Sequence, residues 1–217
     1  MNNVLVVTGS DGATAKGIIN YFADKYVNVI GFSRHQKVSY PHSNINIMNV
    51  DMLNINQVNN AISTINNKYG DINGWINCVG GFSMGDFIEK AEEWDAMHSI
   101  NFTTCLNGCR AIIPQFKKQN NGCIINFGSK AAIEGFPGAA PYLISKSSVH
   151  TLTQLISIEL SESDARCNAI LPGIIDTEDN REAMPNEDHS TWESLKSISE
   201  KINNILNSNS SGKLITL

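Results

Sequence analysis

The chain has 217 residues, 41% hydrophobic and 17% charged, proportions that suit one soluble globular domain with a full core. A net charge of −5 and a pI of about 5.5 argue against nucleic acid or an anionic membrane as partner. Five cysteines with no C-x-x-C spacing speak against a disulfide framework and read as reduced core residues. No His/Cys/Asp/Glu cluster has metal-site spacing, with His98, His150 and His189 isolated.

Residues 4–7 (VLVV) form a short apolar run of the kind buried in a parallel sheet. No basic stretch or long apolar run precedes them as a signal peptide or membrane span would require, so a cytoplasmic protein is expected. A small-residue turn follows (TGSDGATAKG), then a helical pattern to about Tyr26. Such a turn lets backbone N–H groups approach a pyrophosphate at the helix N-terminus. Gly9, Ser10, Asp11, Gly12, Ala13 and Thr14 are therefore candidate dinucleotide contacts. Residues 27–32 read as a second strand, closing on Ser33 and Arg34. An acidic residue at such a strand end would bind the 2′-hydroxyl of NAD, whereas an Arg nearby accommodates the 2′-phosphate of NADP. Neutral Ser33 followed by Arg34 predicts a preference for NADP(H), with NAD(H) as the alternative.

A third strand is expected over 45–50, leading to Asp51 and Met52, then a helix over 55–69. A fourth strand over 72–79 ends in Asn77-Cys78-Val79-Gly80-Gly81. Residues 87–118 read as one or two long helices, broken or kinked near Gly108 and Pro114. Residues 124–127 are a buried strand, followed by a Gly/Pro-broken loop and a long amphipathic helix to residue 160. Ser129 falls where the strand ends, and Tyr142 and Lys146 fall near the helix start. Tyr and Lys at i and i+4 share a helix face, and an ammonium beside a phenol lowers a pKa of about 10. That makes Tyr142 a usable general acid or base, with Ser129 able to hydrogen-bond the same substrate oxygen. A sixth strand over 166–171 runs into Pro172-Gly173-Ile174-Ile175-Asp176-Thr177. Residues 179–190 are polar, Pro-containing and irregular, suited to a lid over a substrate. A helix over 192–206 and a short strand over 213–217 close the chain. The β-α alternation argues for a single α/β Rossmann domain over residues 1–217, a doubly wound, mostly parallel sheet of about seven strands with helices on both faces.

Ser129 followed by Tyr142-Leu143-Ile144-Ser145-Lys146 resembles the Ser…Tyr-x-x-x-Lys pattern of the short-chain dehydrogenase/reductase superfamily, and the resemblance covers essentially the whole chain. The superfamily's Thr-Gly-x-x-x-Gly-x-Gly turn matches at Thr8 and Gly9, with Ala13 and Ala15 in the later Gly positions and Gly12 one residue early. The resemblance implies that Asp51 holds the adenine amino group, with Met52 beside the ring. It implies that Asn77, Val79 and Gly80 let the cofactor ribose lie close to the backbone. Pro172, Gly173 and Ile175 would then run along the nicotinamide, with Thr177 at the diphosphate. Ser99-Ile100-Asn101-Phe102 resembles the stretch carrying the family's catalytic Asn, so Asn101 would bind a water linking Lys146 to solvent. Lys146 would also bind the nicotinamide ribose beside Tyr142. Implied together are an NAD(P)(H)-dependent oxidoreductase acting on a small carbonyl or alcohol substrate and a homodimer or homotetramer built on the long helices.

Within the superfamily, residues 128–138, 176–185 and 211–215 look like dihydropteridine reductases and their bacterial relatives. Ser129, Asn101 and the lack of an acidic residue at the second strand end depart from the animal pteridine reductases and favour a carbonyl reductase or alcohol dehydrogenase. A pterin reductase and a non-catalytic dinucleotide-binding protein remain the alternatives.

Overall fold

The computed structural model describes residues 2–35, 39–88 and 90–217. Strand β1 (Asn2–Thr8) shows why the chain adopts a layered architecture. Side chains alternate along a strand, and Val4 and Val6 enter one buried cluster while Leu5 and Val7 enter another. A strand apolar on both sides needs helices on both sides. Helix α1 (Ala13–Phe22) and strands β2 (Tyr26–Ser33) and β3 (Ile45–Asn49) follow, then α2 (Ile55–Tyr69), β4 (Ile72–Asn77) and α3 (Ala91–His98). Next come α4 (Thr104–Gln119), β5 (Gly122–Phe127), α5 (Ala131–Glu134) and α6 (Ala140–Glu159), then β6 (Ala165–Leu171), α7 (Glu178–Ala183), α8 (Leu195–Leu206) and β7 (Leu214–Thr216). The strands form one seven-stranded sheet in the order β3-β2-β1-β4-β5-β6-β7, parallel at every pairing. Val58, Ile65, Cys109, Ile112, Val149 and Ile156 from α2, α4 and α6 cover one face. Ile18, Ile19, Phe22, Ile198, Ile202 and Ile205 from α1 and α8 cover the other. The expected doubly wound α/β sheet is thus observed, and the chain order reverses between β1 and β4, where such folds bind ligands.

Several expected boundaries shift. Helix α1 ends at Phe22 rather than Tyr26, because Tyr26 already pairs with Asn2 in the sheet. Helix α8 begins at Leu195 rather than Trp192, since the Ser194 hydroxyl accepts from the Ser197 N–H (3.0 Å) and caps it. The expected lid over 179–190 is only partly irregular, containing α7 and a single 3₁₀ turn at His189–Thr191.

The largest departure concerns residues 87–118. The helix changes character at a π-helical segment, Ser99–Thr103, that joins α3 to α4, and neither Gly108 nor Pro114 breaks it. Pro114 sits on the exposed side, as does Arg110, whose carbonyl loses its donor. Gly108 is there for close packing. A Cβ at this position would lie 2.2 Å from Asn77 Oδ1 and 2.9 Å from Trp75 Nε1. Asn77 ties neighbouring strands together: its Oδ1 accepts from Trp75 Nε1 (2.8 Å) and its Nδ2 donates to Asn126 Oδ1 (2.8 Å). Gly108→Ala is expected to lower stability by about 1–3 kcal/mol through overpacking against this network. The shift in urea midpoint at unchanged m-value measures it.

Candidate active site and dinucleotide groove

Tyr142 lies in the first turn of α6 and Lys146 one turn later. Burial raises the Tyr142 phenol above its ordinary 10.0, and a hydrogen bond with the Ser129 hydroxyl acts in the opposite direction. The expected lowering of this phenol by Lys146 is not what the geometry gives. The Lys146 ammonium is buried and donates to the Phe127 carbonyl at the end of β5 (2.9 Å). Burial in turn lowers the Lys146 pKa from 10.5. Burial thus disfavours the Tyr142 phenolate, whereas the i, i+4 spacing alone favours it.

Asn101 sits in the π-helical segment, whose extra residue per turn aims it inward. Its Oδ1 accepts from the Gly81 N–H (2.9 Å), and its Nδ2 donates to the Gly81 carbonyl (3.0 Å) and to Ser145 Oγ (3.0 Å). Ser145 Oγ donates to the Tyr142 carbonyl (2.7 Å). Asn101 thus braces the β4 loop against the turn that carries Tyr142. Gly80 makes the approach possible, since a Cβ there would lie 3.0 Å from Asn101 Oδ1 and 3.2 Å from Lys146 Nζ. Ser129, Tyr142, Lys146 and Asn101 are brought to one place, as the sequence led us to expect.

His150 was unassigned from sequence. It lies two turns beyond Tyr142 and one beyond Lys146 on the same face of α6, a spacing already contained in the long helix expected to residue 160. Its Nε2 accepts from the Ser129 N–H (3.2 Å). A Cβ on Gly128 would stand 2.4 Å from that nitrogen, so this contact requires glycine. Burial, and then the Lys146 charge, lower the His150 pKa from 6.5.

A groove of about 350 Å³ opens beyond the carboxyl ends of β1, β2 and β4, lined by Gly9, Asp11, Gly12, Ser33, Arg34, Asp51, Met52, Val79 and Gly80. Gly9 has φ +73, and a Cβ on it would lie 3.2 Å from Val79 Cα, so the turn needs glycine twice over. Gly12 precedes α1 without a side-chain cap, and the first turn of α1 has no acidic residue. The N–H groups of Ala13 and Thr14 are thus left to meet an anion. These features fit a nicotinamide dinucleotide. Arg34 is exposed at the groove, and His35 Nε2 lies 3.6 Å from Asp11 Oδ2 beside it. Asp51 Oδ1 accepts from the Leu53 N–H (2.9 Å) and holds that corner. Cys78 also lines the groove, its thiol pushed up to about 12 by burial.

Other expected contacts lie elsewhere. Asn77 is buried in the network between β4 and β5 and does not line the groove. Ser10 is buried, with its Oγ lacking a protein partner among the described residues and its carbonyl accepting from Tyr40 Oη (2.6 Å). Pro172, Gly173, Ile175 and Thr177 continue from β6 alongside the Ser129 loop, where the Lys130 N–H donates to the Pro172 carbonyl (3.1 Å). Thr177 Oγ1 accepts from the Asn180 N–H (3.3 Å) and caps α7.

Residues 3–188 match the family model described as short chain dehydrogenase, and the chain belongs to that family. An uncharacterised oxidoreductase of Staphylococcus saprophyticus is 30% identical over 194 residues, covering 82% of this chain and 78% of that protein. The 2-(R)-hydroxypropyl-CoM dehydrogenase of Xanthobacter autotrophicus is 33% identical over 131 residues, covering 58% of this chain and 52% of that protein. For the 3-oxoacyl-acyl-carrier-protein reductase of Thermotoga maritima the values are 33% over 122 residues, 56% and 50%. The matches thus span about half the length of these last two relatives. The two relatives with a stated activity are not pteridine reductases. Among solved structures, ElxO with NADP bound superposes at TM-score 0.91 and 20% identity, covering 100% of this chain and 97% of that one. The aldohexose dehydrogenase of Thermoplasma acidophilum superposes at 0.89 and 22%, covering 100% and 92%. At such identities the likeness concerns the fold.

Because His150 is disfavoured as a cation when folded, the unfolded chain binds more protons below pH 6.5. This contribution to stability is complete above that pH and is lost as pH falls toward the folded value. Thermal unfolding between about pH 8 and 5 should show Tm falling below pH 6.5, with a shallower fall in His150→Gln. Equal slopes would remove His150 as the source.

Proposed function

We propose that this protein is an NADP(H)-dependent oxidoreductase that interconverts a carbonyl and an alcohol, with Tyr142 as the acid–base group. The observation carrying this reading is the Tyr142–Ser129 hydroxyl pair, set beside a buried ammonium whose Nζ bonds the end of β5. The bound dinucleotide supplies or accepts hydride. In reduction Tyr142 gives its proton to the carbonyl oxygen, which the Ser129 hydroxyl also meets where negative charge develops. Lys146 binds the ribose hydroxyls, and Asn101 keeps the Gly81 loop and α6 in register. Arg34 receives the 2′-phosphate, with Gly9 to Thr14 around the pyrophosphate. The pterin reading rests on the resemblance of residues 128–138, 176–185 and 211–215, and an assay with quinonoid dihydropterin separates it from ketone reduction.

We also assign the protein to the cytoplasm and to a homo-oligomer. Cys78, Cys105, Cys109, Cys123 and Cys167 are all unpaired thiols, and among the described residues no helix is long and apolar enough to cross a membrane. Ile144, Leu155 and Ile158 stand exposed on α6, an apolar face suited to a second copy. Sedimentation as a monomer at all concentrations would overturn that assembly.

Tyr142→Phe should cut turnover by about 10²–10⁴-fold while leaving NADPH affinity nearly intact. In the unaltered enzyme, reduction requires the protonated phenol. Its kcat/KM should therefore stay level from about pH 7 to 9, because the raised pKa delays loss of the proton. A decline through that range would mark a phenol lowered instead. Fluorescence titration should show NADPH bound more tightly than NADH, the ratio shrinking about tenfold in Arg34→Ala.

A further inference from the structure

Phe82 is 56% exposed and Phe136 41% exposed, with Met84 at 63% next to them. The Phe82 ring meets the Tyr142 ring edge-to-face, centroids 5.0 Å apart at 78°. Phe136 lies 6.5 Å from Phe82 at 34°. The two segments carrying these rings are fixed to each other. The Gly85 N–H donates to the Gly138 carbonyl (2.7 Å), and the Ala140 N–H donates to the Gly85 carbonyl (2.8 Å). Phe82 also follows Gly81, whose N–H and carbonyl are both held by Asn101. The rim is therefore rigidly mounted against the start of α6. Met84 closes over Gly138, where a Cβ would lie 3.1 Å from its methyl. Lys130, beside Ser129, is paired with Glu134 at 3.2 Å.

We propose that Phe82 and Phe136 are specificity-determining residues that receive a flat aromatic ring attached to the substrate's carbonyl carbon, making aryl ketones and their alcohols the preferred substrate class. This rests on the carbonyl/alcohol reading above. Ring contacts of this kind prefer offset-stacked or edge-to-face geometry, and the two rings offer both to a third. In reduction, hydride forms the new C–H bond at the carbonyl carbon. The C=O π pair takes the Tyr142 proton, the phenolate recovers a proton from solvent, and the nicotinamide is left oxidised.

The test compares kcat/KM for acetophenone and for acetone with NADPH, in the parent enzyme, Phe82→Ala, Phe136→Ala and Phe82→Trp. The ratio cancels losses common to both ketones. It should favour acetophenone, fall about tenfold in Phe82→Ala, fall in Phe136→Ala, and persist in Phe82→Trp, with the change carried by KM. A ratio unmoved by both alanine substitutions, or one favouring acetone, overturns the proposal. Saturation-transfer NMR of acetophenone on Tyr142→Phe with NADP reads binding without turnover. Ketones reduced without aryl preference sink the aromatic wall and leave the carbonyl reading standing. Acetophenone bound through Phe82 but never reduced sinks the carbonyl reading and leaves the wall. Neither binding nor turnover sinks both.

Discussion

A buried ammonium constrains the site more than any other single group. Lys146 is almost wholly enclosed, with its Nζ on the Phe127 carbonyl. An ammonium shut away from water without such an acceptor costs several kcal/mol. Helix α6 must therefore lie with this face against the end of β5. Once it does, helical spacing fixes the rest: Tyr142 one turn earlier, His150 one turn later, and Thr153 beyond it. Each meets a partner on the sheet side. Ser129 bonds with Tyr142, His150 accepts from the Ser129 N–H, and Thr153 Oγ1 accepts from Asn126 Nδ2 at 2.9 Å. A shift by one residue would break all of these contacts together.

The strand ends that receive α6 are themselves held by polar groups in an otherwise apolar sheet. Asn77 and Asn126 are register partners on β4 and β5, and their amides join Trp75, Thr153 and each other. Buried amides of this kind must be satisfied in full or they destabilise, which fixes the lateral position of β4 relative to β5. Gly80 and Gly81 then leave β4 at a defined point, and Asn101 takes up both polar groups of Gly81. The sheet network and the π-helical turn thus transmit one geometry to the Ser129 and Tyr142 hydroxyls and to the groove beside them.

What was legible in the sequence follows local rules. Helix α2 falls on the expected residues 55–69, with Asn54 capping it, Oδ1 accepting from Asn56 N (3.1 Å) and Gln57 N (3.2 Å), and Gly70 ending it at φ +88. Apolar runs marked the strands, and Ser129, Tyr142, Lys146 and Asn101 converge as the motif spacing suggested. The misreadings concern contacts made at a distance. Gly108 resembles a helix break until Asn77 is seen pressed against it. The π-helical turn at Ser99–Thr103 has no compositional mark. The i, i+4 spacing of Tyr142 and Lys146 was visible, but the destination of the ammonium was not, because the Phe127 carbonyl belongs to another element.

That destination bears on the chemistry. With Lys146 bound to the strand end, the dominant influence on Tyr142 is its apolar surroundings, and Phe82 is part of them. A proton donor gains from staying neutral until the acceptor oxygen begins to carry charge. Desolvation provides this by disfavouring the phenolate, and the Ser129 bond limits how far the pKa rises. The aromatic rim therefore has two physical consequences that cannot be separated by position. It presents flat apolar surface to solvent, and Phe82 covers part of the Tyr142 ring. On the proposed reading, substrate selectivity and the proton held by Tyr142 draw on the same side chains.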